Sequence, residues 1–195
     1  MILLVDHQDS FTHNLAHLLA RFDHVEVHDR FALPEKLVKA ADFIVLSPGP
    51  GSPADYPETL AFAEKMKGKT PILGVCLGFQ LLLESEGAKI VRQPQVLHGV
   101  ETEITTTPGS KTYLGLPSSL RVGRYHSLQV DNESLALLPP SIQITATDLI
   151  RKVPVSFEDL KRKLFGLQYH PESFLTSDGN RLIENIRHAC LDEIG

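Results

Sequence analysis

The chain has 195 residues, of which 42% are hydrophobic and 22% are charged, the balance of a globular protein and not of a disordered or fibrous one. Its 24 acidic and 19 basic side chains give a net charge of −5 without a block of lysines or arginines, which argues against nucleic acid as a partner. The length suits one compact domain, which we assign to residues 1–195.

The first apolar run, residues 1–5, meets Asp6 at once and is too short for a signal peptide. No later run approaches the length of a membrane-spanning helix. We therefore expect a cytoplasmic protein that does not bind membranes.

The first half of the chain alternates strand-like and helix-like patterns. Strands are predicted for the apolar runs at residues 1–5, 25–27, 43–46 and 71–75. Helices are predicted at residues 11–22, whose apolar side chains share one face, from Pro34 to Ala40, and after Pro57. This order predicts a three-layer α/β fold, in which helices cover both faces of a central, mostly parallel sheet and ligands bind at the carboxyl ends of the strands.

After Gly87 the pattern changes to short strands, such as the alternating residues 141–146, and predicts a small antiparallel or mixed sheet. The charged residues 158–163 are interpreted as an exposed turn without a function. A last helix is predicted to start at Thr176 or Ser177, whose side chains can cap its first N–H groups.

Cys76 lies between Gly74 and Gly78, directly after a strand run and before the helical run at residues 79–86. This spacing is the cysteine counterpart of the nucleophile elbow, in which small residues permit a sharp strand-to-helix turn. The positive end of the helix dipole behind the cysteine favours its thiolate. A buried apolar cysteine with glycines that serve close packing is the alternative, and these five residues alone do not decide between the two. The second cysteine, Cys190, has no metal-ligand spacing to the first.

Two further elements follow predicted strands. The loop Ser-Pro-Gly-Pro-Gly-Ser-Pro at residues 47–53 exposes backbone N–H groups that, with the N–H of Leu77, suit an oxyanion hole, although it can also be a plain turn. His170 and Glu172 follow the strand-like residues 164–169 and offer a base with its orienting carboxylate, with an ordinary surface histidine as the alternative. All three elements lie at carboxyl ends of strands, so they can converge.

Residues 74–80, Gly-Val-Cys-Leu-Gly-Phe-Gln, and the run His170-Pro171-Glu172 resemble the class I glutamine amidotransferases, whose catalytic triad is a cysteine, a histidine and a glutamate. The likeness spans nearly the whole chain and implies the flavodoxin-like fold of that class. By this resemblance the catalytic residues are Cys76, His170 and Glu172. The residues that the resemblance assigns to glutamine binding are Gly49, Pro50, Gly51, Leu77, Gln80, Ser127 and Leu128.

Residues 6–14, the loop at residues 47–53, the pair His98-Gly99 and the run Arg-Tyr-His-Ser-Leu at residues 124–128 resemble the chorismate branch of the class. That branch comprises anthranilate synthase component II and the glutaminase of aminodeoxychorismate (para-aminobenzoate) synthase. The resemblance implies that glutamine is hydrolysed and that ammonia passes to a chorismate-using synthase subunit, component I, on the folate or the tryptophan route. It implies no cofactor in this chain and magnesium in the partner.

Four residues depart from the branch: Phe79 replaces a usual histidine, His7 and Gln8 replace asparagine and tyrosine, and Val100 replaces a lysine. None of them removes a triad residue. Phe79 is expected beside the nucleophile, at the mouth of the site or on the docking surface. The alternative functions are a γ-glutamyl hydrolase, against which residues 124–128 and the short chain argue, and a non-catalytic regulatory protein, against which the intact triad argues.

Overall fold

The computed structural model describes residues 1–191. Eleven strands lie in this part of the chain: β1 (Ile2–Asp6), β2 (Val25–Asp29), β3 (Phe43–Leu46), β4 (Ile72–Val75), β5 (Ile90–Arg92), β6 (Val100–Thr106), β7 (Ser119–Arg124), β8 (Leu128–Val130), β9 (Gln143–Asp148), β10 (Pro154–Asp159) and β11 (Leu164–Leu167).

Five α-helices accompany these strands: α1 (Thr12–Leu19), α2 (Glu35–Ala40), α3 (Pro57–Met66), α4 (Leu77–Ser85) and α5 (Gly179–Leu191). Short 3-10 helices lie at Pro53–Asp55 and Asn132–Leu137, and neither of them was predicted. Within residues 1–191 no helix is long and apolar enough to cross a membrane.

Nine strands form one sheet in the order β2-β1-β3-β4-β11-β10-β9-β6-β7. The first five pair in parallel and have the flavodoxin-like order, so the predicted α/β fold is confirmed. The last four add antiparallel pairs to the same sheet instead of forming a sheet of their own. The small separate sheet is the antiparallel pair β5-β8.

The alternation of side chains along β1 shows how the sheet separates two cores. Ile2 and Leu4 pack in one apolar cluster with residues of α1 and α5, whereas Leu3 and Val5 pack in a second cluster with residues of α3 and α4. Successive side chains of a strand point to opposite faces, so a strand that is covered on both faces has to be apolar throughout. This is why the central strands appear in the sequence as short uninterrupted apolar runs.

The interpretation of residues 158–163 as an exposed turn was wrong for its first two residues. Glu158 and Asp159 end strand β10 and are buried, at 2% and 0% exposure. Glu158 accepts hydrogen bonds from the backbone N–H groups of Lys111 and Thr112, and Asp159 is paired with Arg162. The N–H donors and the arginine compensate the cost of burying the two carboxylates, and apolar periodicity carries no information about such partners.

Helix α5 begins later than predicted. Its first turn is set by Asp178, whose backbone oxygen accepts from the N–H of Leu182. Thr176 does not cap the helix: its hydroxyl donates to the backbone oxygen of His170 and accepts from the N–H of Gly123. Thr176 therefore ties the backbone of His170 to that of Gly123 in β7.

Candidate active site

Cys76 occupies a strained turn between β4 and α4. Its φ angle is +53°, which is unusual for a residue with a side chain, and it directly precedes the first residue of the helix. A Cβ atom on Gly74 would lie 2.3 Å from the backbone of Gly78, and one on Gly78 would lie 2.3 Å from the oxygen of Leu46. Both glycines are thus required by the close approach of the helix to the strands, as in a nucleophile elbow.

His170 and Glu172 lie beside this turn. The Nδ1 of His170 is 2.7 Å from Oε1 of Glu172, and both side chains are almost fully buried. The backbone N–H of His170 donates to Gly123 of β7, which holds the residue against the antiparallel half of the sheet. The backbone N–H of Cys76 donates to the backbone oxygen of Leu167, the last residue of β11. Cys76 and His170 therefore follow the ends of two adjacent strands, β4 and β11.

The electrostatics favour a protonated histidine. Burial by itself lowers the pKa of His170, but the neighbouring Cys76 and Glu172 side chains outweigh this effect and raise the pKa to about 10. The Nε2 atom has no hydrogen-bond partner within standard distance and angle limits, and the Cys76 side chain raises the pKa of His170 first as a hydrogen-bonding group and then by its charge. The arrangement can hold a thiolate next to an imidazolium at neutral pH, which is the pairing that activates a cysteine nucleophile.

Two aromatic rings cover His170. The centroids of Phe11 and Tyr125 lie 5.0 and 4.9 Å from the histidine ring, both edge to face, and 4.7 Å from each other. The Tyr125 hydroxyl is 3.0 Å from Oγ of Ser173. These rings limit the rotation of the imidazole and keep solvent away from its edge.

The loop at residues 47–53 approaches the elbow closely. A Cβ atom on Gly49 would meet Leu77 at 2.5 Å and His7 at 2.7 Å. Gly51 has a φ angle of +74°, and the Tyr56 hydroxyl donates to the backbone oxygen of Pro50. Leu77 is the first residue of α4, and its N–H therefore has no partner within the helix. The predicted oxyanion donors, the N–H groups of Gly51 and Leu77, thus belong to adjacent segments.

A cavity of about 200 Å³ opens in front of Cys76. All seven residues that the resemblance assigned to glutamine binding line it, whereas His170 and Glu172 are not among the lining residues. The remaining lining residues were not predicted as site residues, namely Val96, Leu97, His98, Tyr125 and His126. The motif at residues 124–128 was the signal available for the last two of these. Apolar periodicity gave no signal for residues 96–98, which lie in a loop.

Buried polar contacts hold Ser127 and Leu128 in the cavity wall. The Nδ1 of His126 is 2.7 Å from the backbone oxygen of Leu128, and the N–H of Gln93 donates to the backbone oxygen of Ser127. Arg124 is fully buried, donates to Nε2 of His126, and is paired with Asp148 at 3.1 Å. The backbone of Ser127 and Leu128 in the cavity wall is therefore supported by a chain of side chains.

Phe79 does not lie where the sequence suggested. It is fully buried in the core and packs on Phe157, with ring centroids 5.7 Å apart. It contributes neither to the mouth of the cavity nor to an exposed surface. Phe79 is the third residue of α4, and this position of the helix faces the sheet. Its aromatic ring fills the space between helix and sheet among other apolar side chains.

Among residues 1–191 no group of three or more His, Cys, Asp or Glu side chains is arranged to hold a metal ion.

Comparisons with known proteins identify the family of this chain. A family model described as glutamine amidotransferase class-I matches residues 3–190. The chain is 40% identical over 187 residues to anthranilate synthase component 2 of Lactococcus lactis subsp. lactis (strain IL1403), which covers 95% of this chain and 92% of that protein. It is 38% identical over 198 residues to aminodeoxychorismate synthase component 2 of Escherichia coli (strain K12), which covers 96% and 100%.

Among solved structures, a glutamine amidotransferase from Thermotoga maritima matches with a TM-score of 0.77 at 17% identity, over 98% of this chain and 98% of that one. At this identity the likeness concerns the fold alone. The family model and the curated relatives carry the assignment: the chain belongs to the class-I glutamine amidotransferase family.

Proposed function

We propose that the protein is a glutaminase subunit that hydrolyses glutamine through a thioester on Cys76 and delivers the ammonia to a synthase subunit that aminates chorismate. The observation that carries the proposal is the position of Cys76, on a strained elbow between the His170–Glu172 pair and the cavity of about 200 Å³. Residues 1–195 form one domain with this activity in the proposal.

In the first half of the reaction, the Cys76 thiolate attacks the side-chain amide carbon of glutamine. The negative charge that develops on the oxygen meets the N–H groups of Gly51 and Leu77, and preorganised donors of this kind each lower the barrier by about 3–4 kcal/mol. His170 gives its proton to the departing nitrogen, the C–N bond breaks, and ammonia and a γ-glutamyl thioester result.

In the second half, a water molecule replaces the ammonia. His170, now neutral, takes a proton from the water as it attacks the thioester carbonyl, and the C–S bond breaks to release glutamate and restore the thiolate. Glu172 holds Nδ1 of the imidazole at 2.7 Å and stabilises its cationic form in both halves. Five further residues of the cavity wall bind the substrate, namely Gly49, Pro50, Gln80, Ser127 and Leu128.

The partner is proposed from the relatives. Both curated relatives described above are named as the second component of a synthase, one of anthranilate synthase and one of aminodeoxychorismate synthase. We assign no cofactor to this chain, and magnesium to the synthase subunit. The product from chorismate is 4-amino-4-deoxychorismate or anthranilate, and copurification of the native partner followed by product analysis separates the two.

Labelling by an electrophilic glutamine analogue tests the nucleophile. The reagent is expected to modify Cys76 and to spare Cys190, because burial raises the pKa of Cys190 to about 12 and keeps it as a thiol. Excess glutamine should protect Cys76. Peptide mapping that found the label on Cys190, or on Cys76 without protection by glutamine, would reject the assignment.

The coupling to a partner is tested by glutaminase rates. The isolated chain is expected to hydrolyse glutamine slowly and to gain activity when the synthase subunit binds, because uncoupled hydrolysis releases ammonia into solvent. The rates are compared at saturating glutamine with and without the copurified partner. Equal and high rates in the two samples would contradict the coupling and favour a stand-alone hydrolase.

A further inference from the structure

Gln168 lies next to the nucleophile, although no motif singles it out. It follows β11, whose last residue pairs in parallel register with Val75 of β4, so Gln168 is level with Cys76 across the sheet. Gln168 lies in the bend that follows β11, two residues before His170. Its side chain is 1% exposed, and its Nε2 lies 3.8 Å from Sγ of Cys76.

The orientation of the Gln168 amide is set by its neighbours. Its Nε2 also lies 3.5 Å from the backbone oxygen of Cys76, which can only accept a hydrogen bond. The NH₂ side of the amide must therefore face Cys76, and the carbonyl side must face away from it. There Oε1 accepts from Nε2 of Gln80 at 3.0 Å.

This order continues into Gln80. One amide hydrogen of Gln80 is donated to Gln168, and its Nε2 also lies 3.5 Å from the backbone oxygen of Leu128, another pure acceptor. Two carbonyl oxygens thus bracket the pair of amides, and reversal of either amide would place oxygen against oxygen. The polar atom of Gln80 left for a ligand in the cavity that it lines is Oε1.

The geometry points to Gln168 as a further catalytic residue, which donates its amide N–H to the Cys76 thiolate and fixes Gln80 so that its Oε1 accepts from an N–H group of glutamine. The inference rests on the proposed function. Hydrogen bonds to an ionised acceptor are stronger than neutral ones, so the donor favours the thiolate over the thiol. An acceptor at Gln80 suits the carboxamide or ammonium of glutamine and disfavours a carboxylate oxygen.

The test measures the pH dependence of Cys76 alkylation by iodoacetamide in the full chain, followed by mass spectrometry of the Cys76 peptide. Gln168→Glu keeps the shape but removes the N–H donors, and Gln168→Met removes them without adding charge. Both variants are expected to move the midpoint of the profile upward by about one pH unit, which slows alkylation roughly tenfold below the midpoint. The control is Gln95→Glu at an exposed glutamine bound to Arg151, with an unchanged profile expected.

Several outcomes overturn the inference. Unchanged profiles in both variants would remove the donor role and leave Gln168 as a packing residue. A shift in Gln168→Glu with none in Gln168→Met would trace the effect to the added charge alone. If Gln168→Met does not fold, Gln168→Asn is the neutral variant, because its side chain is one methylene shorter and its N–H donors lie farther from Cys76.

A second measurement addresses Gln80. In the complex with the synthase subunit, Gln168→Met should raise the KM for glutamine, because the Gln80 amide can then reverse, and an unchanged KM would overturn this half of the inference. Alkylation requires no glutamine, so it separates the two proposals. If the wild-type complex had a reactive Cys76 but no glutaminase activity, the proposed function would be rejected. The N–H donation by Gln168 would still be decided by the pH dependence of Cys76 alkylation.

Discussion

Arg124 donates its Nε–H to Nε2 of His126 over 2.6 Å, in the interior of the protein. The histidine must accept at this atom, so it is neutral and carries its proton on Nδ1, which donates to the backbone oxygen of Leu128. Burial and the charge of Arg124 lower the pKa of His126 to about 3, in agreement with this tautomer. A buried cation thereby determines the position of a backbone segment in the wall of the active-site cavity.

The first prediction concerns the anion that holds Arg124. Asp148→Asn leaves Arg124 buried without its counter-charge and is expected to lower the free energy of unfolding by about 3–5 kcal/mol. The matched control is Glu101→Gln, whose partner Arg121 is 72% exposed, and there we expect a change of less than about 1 kcal/mol. Urea unfolding measures both variants. Equal losses in the two variants would show that the buried pair has no special weight.

Part of the site could be predicted because its cause is local. Gly74 and Gly78 are required by contacts between β4, α4 and β3, and the sharp turn at Cys76 follows from three residues of sequence. The histidine–glutamate pair is equally local, since only one residue separates its members. The convergence of these elements follows from the parallel sheet, in which the strands end on one edge.

The rest could not be predicted, because it depends on partners far apart in the sequence. Gln168 appeared as one more residue of a strand, and its contacts to Cys76 and Gln80 arise from strand order. Glu158 looked exposed because it is charged, yet its partners lie 46 and 47 residues away in a loop. Phe79 was expected at the site because of its distance from Cys76 along the chain, whereas the helix turns it into the core.

The second prediction concerns the glycine after the nucleophile. In Gly78→Ala the new Cβ would lie 2.3 Å from the backbone oxygen of Leu46, which cannot rotate away. We expect a loss of about 3 kcal/mol or more in the free energy of unfolding and a displaced loop at residues 47–53, with loss of glutaminase activity. In the control, Gly109→Ala, the added atom meets nothing within 4 Å, and the φ of +84° should cost only about 1–2 kcal/mol. Activity retained in Gly78→Ala would refute the close contact.

The third prediction is a pH dependence that originates at His7. This side chain is buried between Ser47 and Thr59, and burial, with the charge of Arg30, lowers its pKa from 6.5 to about 4. The unfolded chain therefore binds more protons between pH 4 and 6.5, so this contribution to stability is complete above pH 6.5 and is lost as the pH falls through 4. The total is about 3 kcal/mol at most.

His7→Asn, which introduces the residue common in the chorismate branch, removes this titration. Urea unfolding of wild type and variant is measured at several pH values. As the pH falls from 6.5 to 4, the free energy of unfolding of the wild type should decrease more than that of the variant, so that the two plots against pH approach each other. His126 titrates in the same window in both proteins and cancels in the difference. Parallel curves would show that His7 is not held in its neutral form.

The last prediction separates the two halves of the proposed reaction with Cys76→Ala. The substitution removes the thiol, so no thioester can form, while the partner protein and its chorismate site remain intact. The complex should still assemble, and it should make aminated product from chorismate and an ammonium salt at high pH, where free ammonia is present, but none from glutamine.

His170→Ala should follow the same pattern with some residual glutamine-dependent activity, since the oxyanion donors and the thiol remain and members of a catalytic unit contribute non-additively. Glu172→Ala should be the mildest of the three, because Glu172 acts through His170, which it contacts at Nδ1.

Loss of the ammonia-dependent reaction in Cys76→Ala would mean that the variant damages the complex and not the thioester step. Retention of the glutamine-dependent reaction would be more serious, because the second cysteine within residues 1–191, Cys190, is buried in helix α5 and does not line the cavity. Product formation from each nitrogen source, measured on the purified complex, decides between these outcomes.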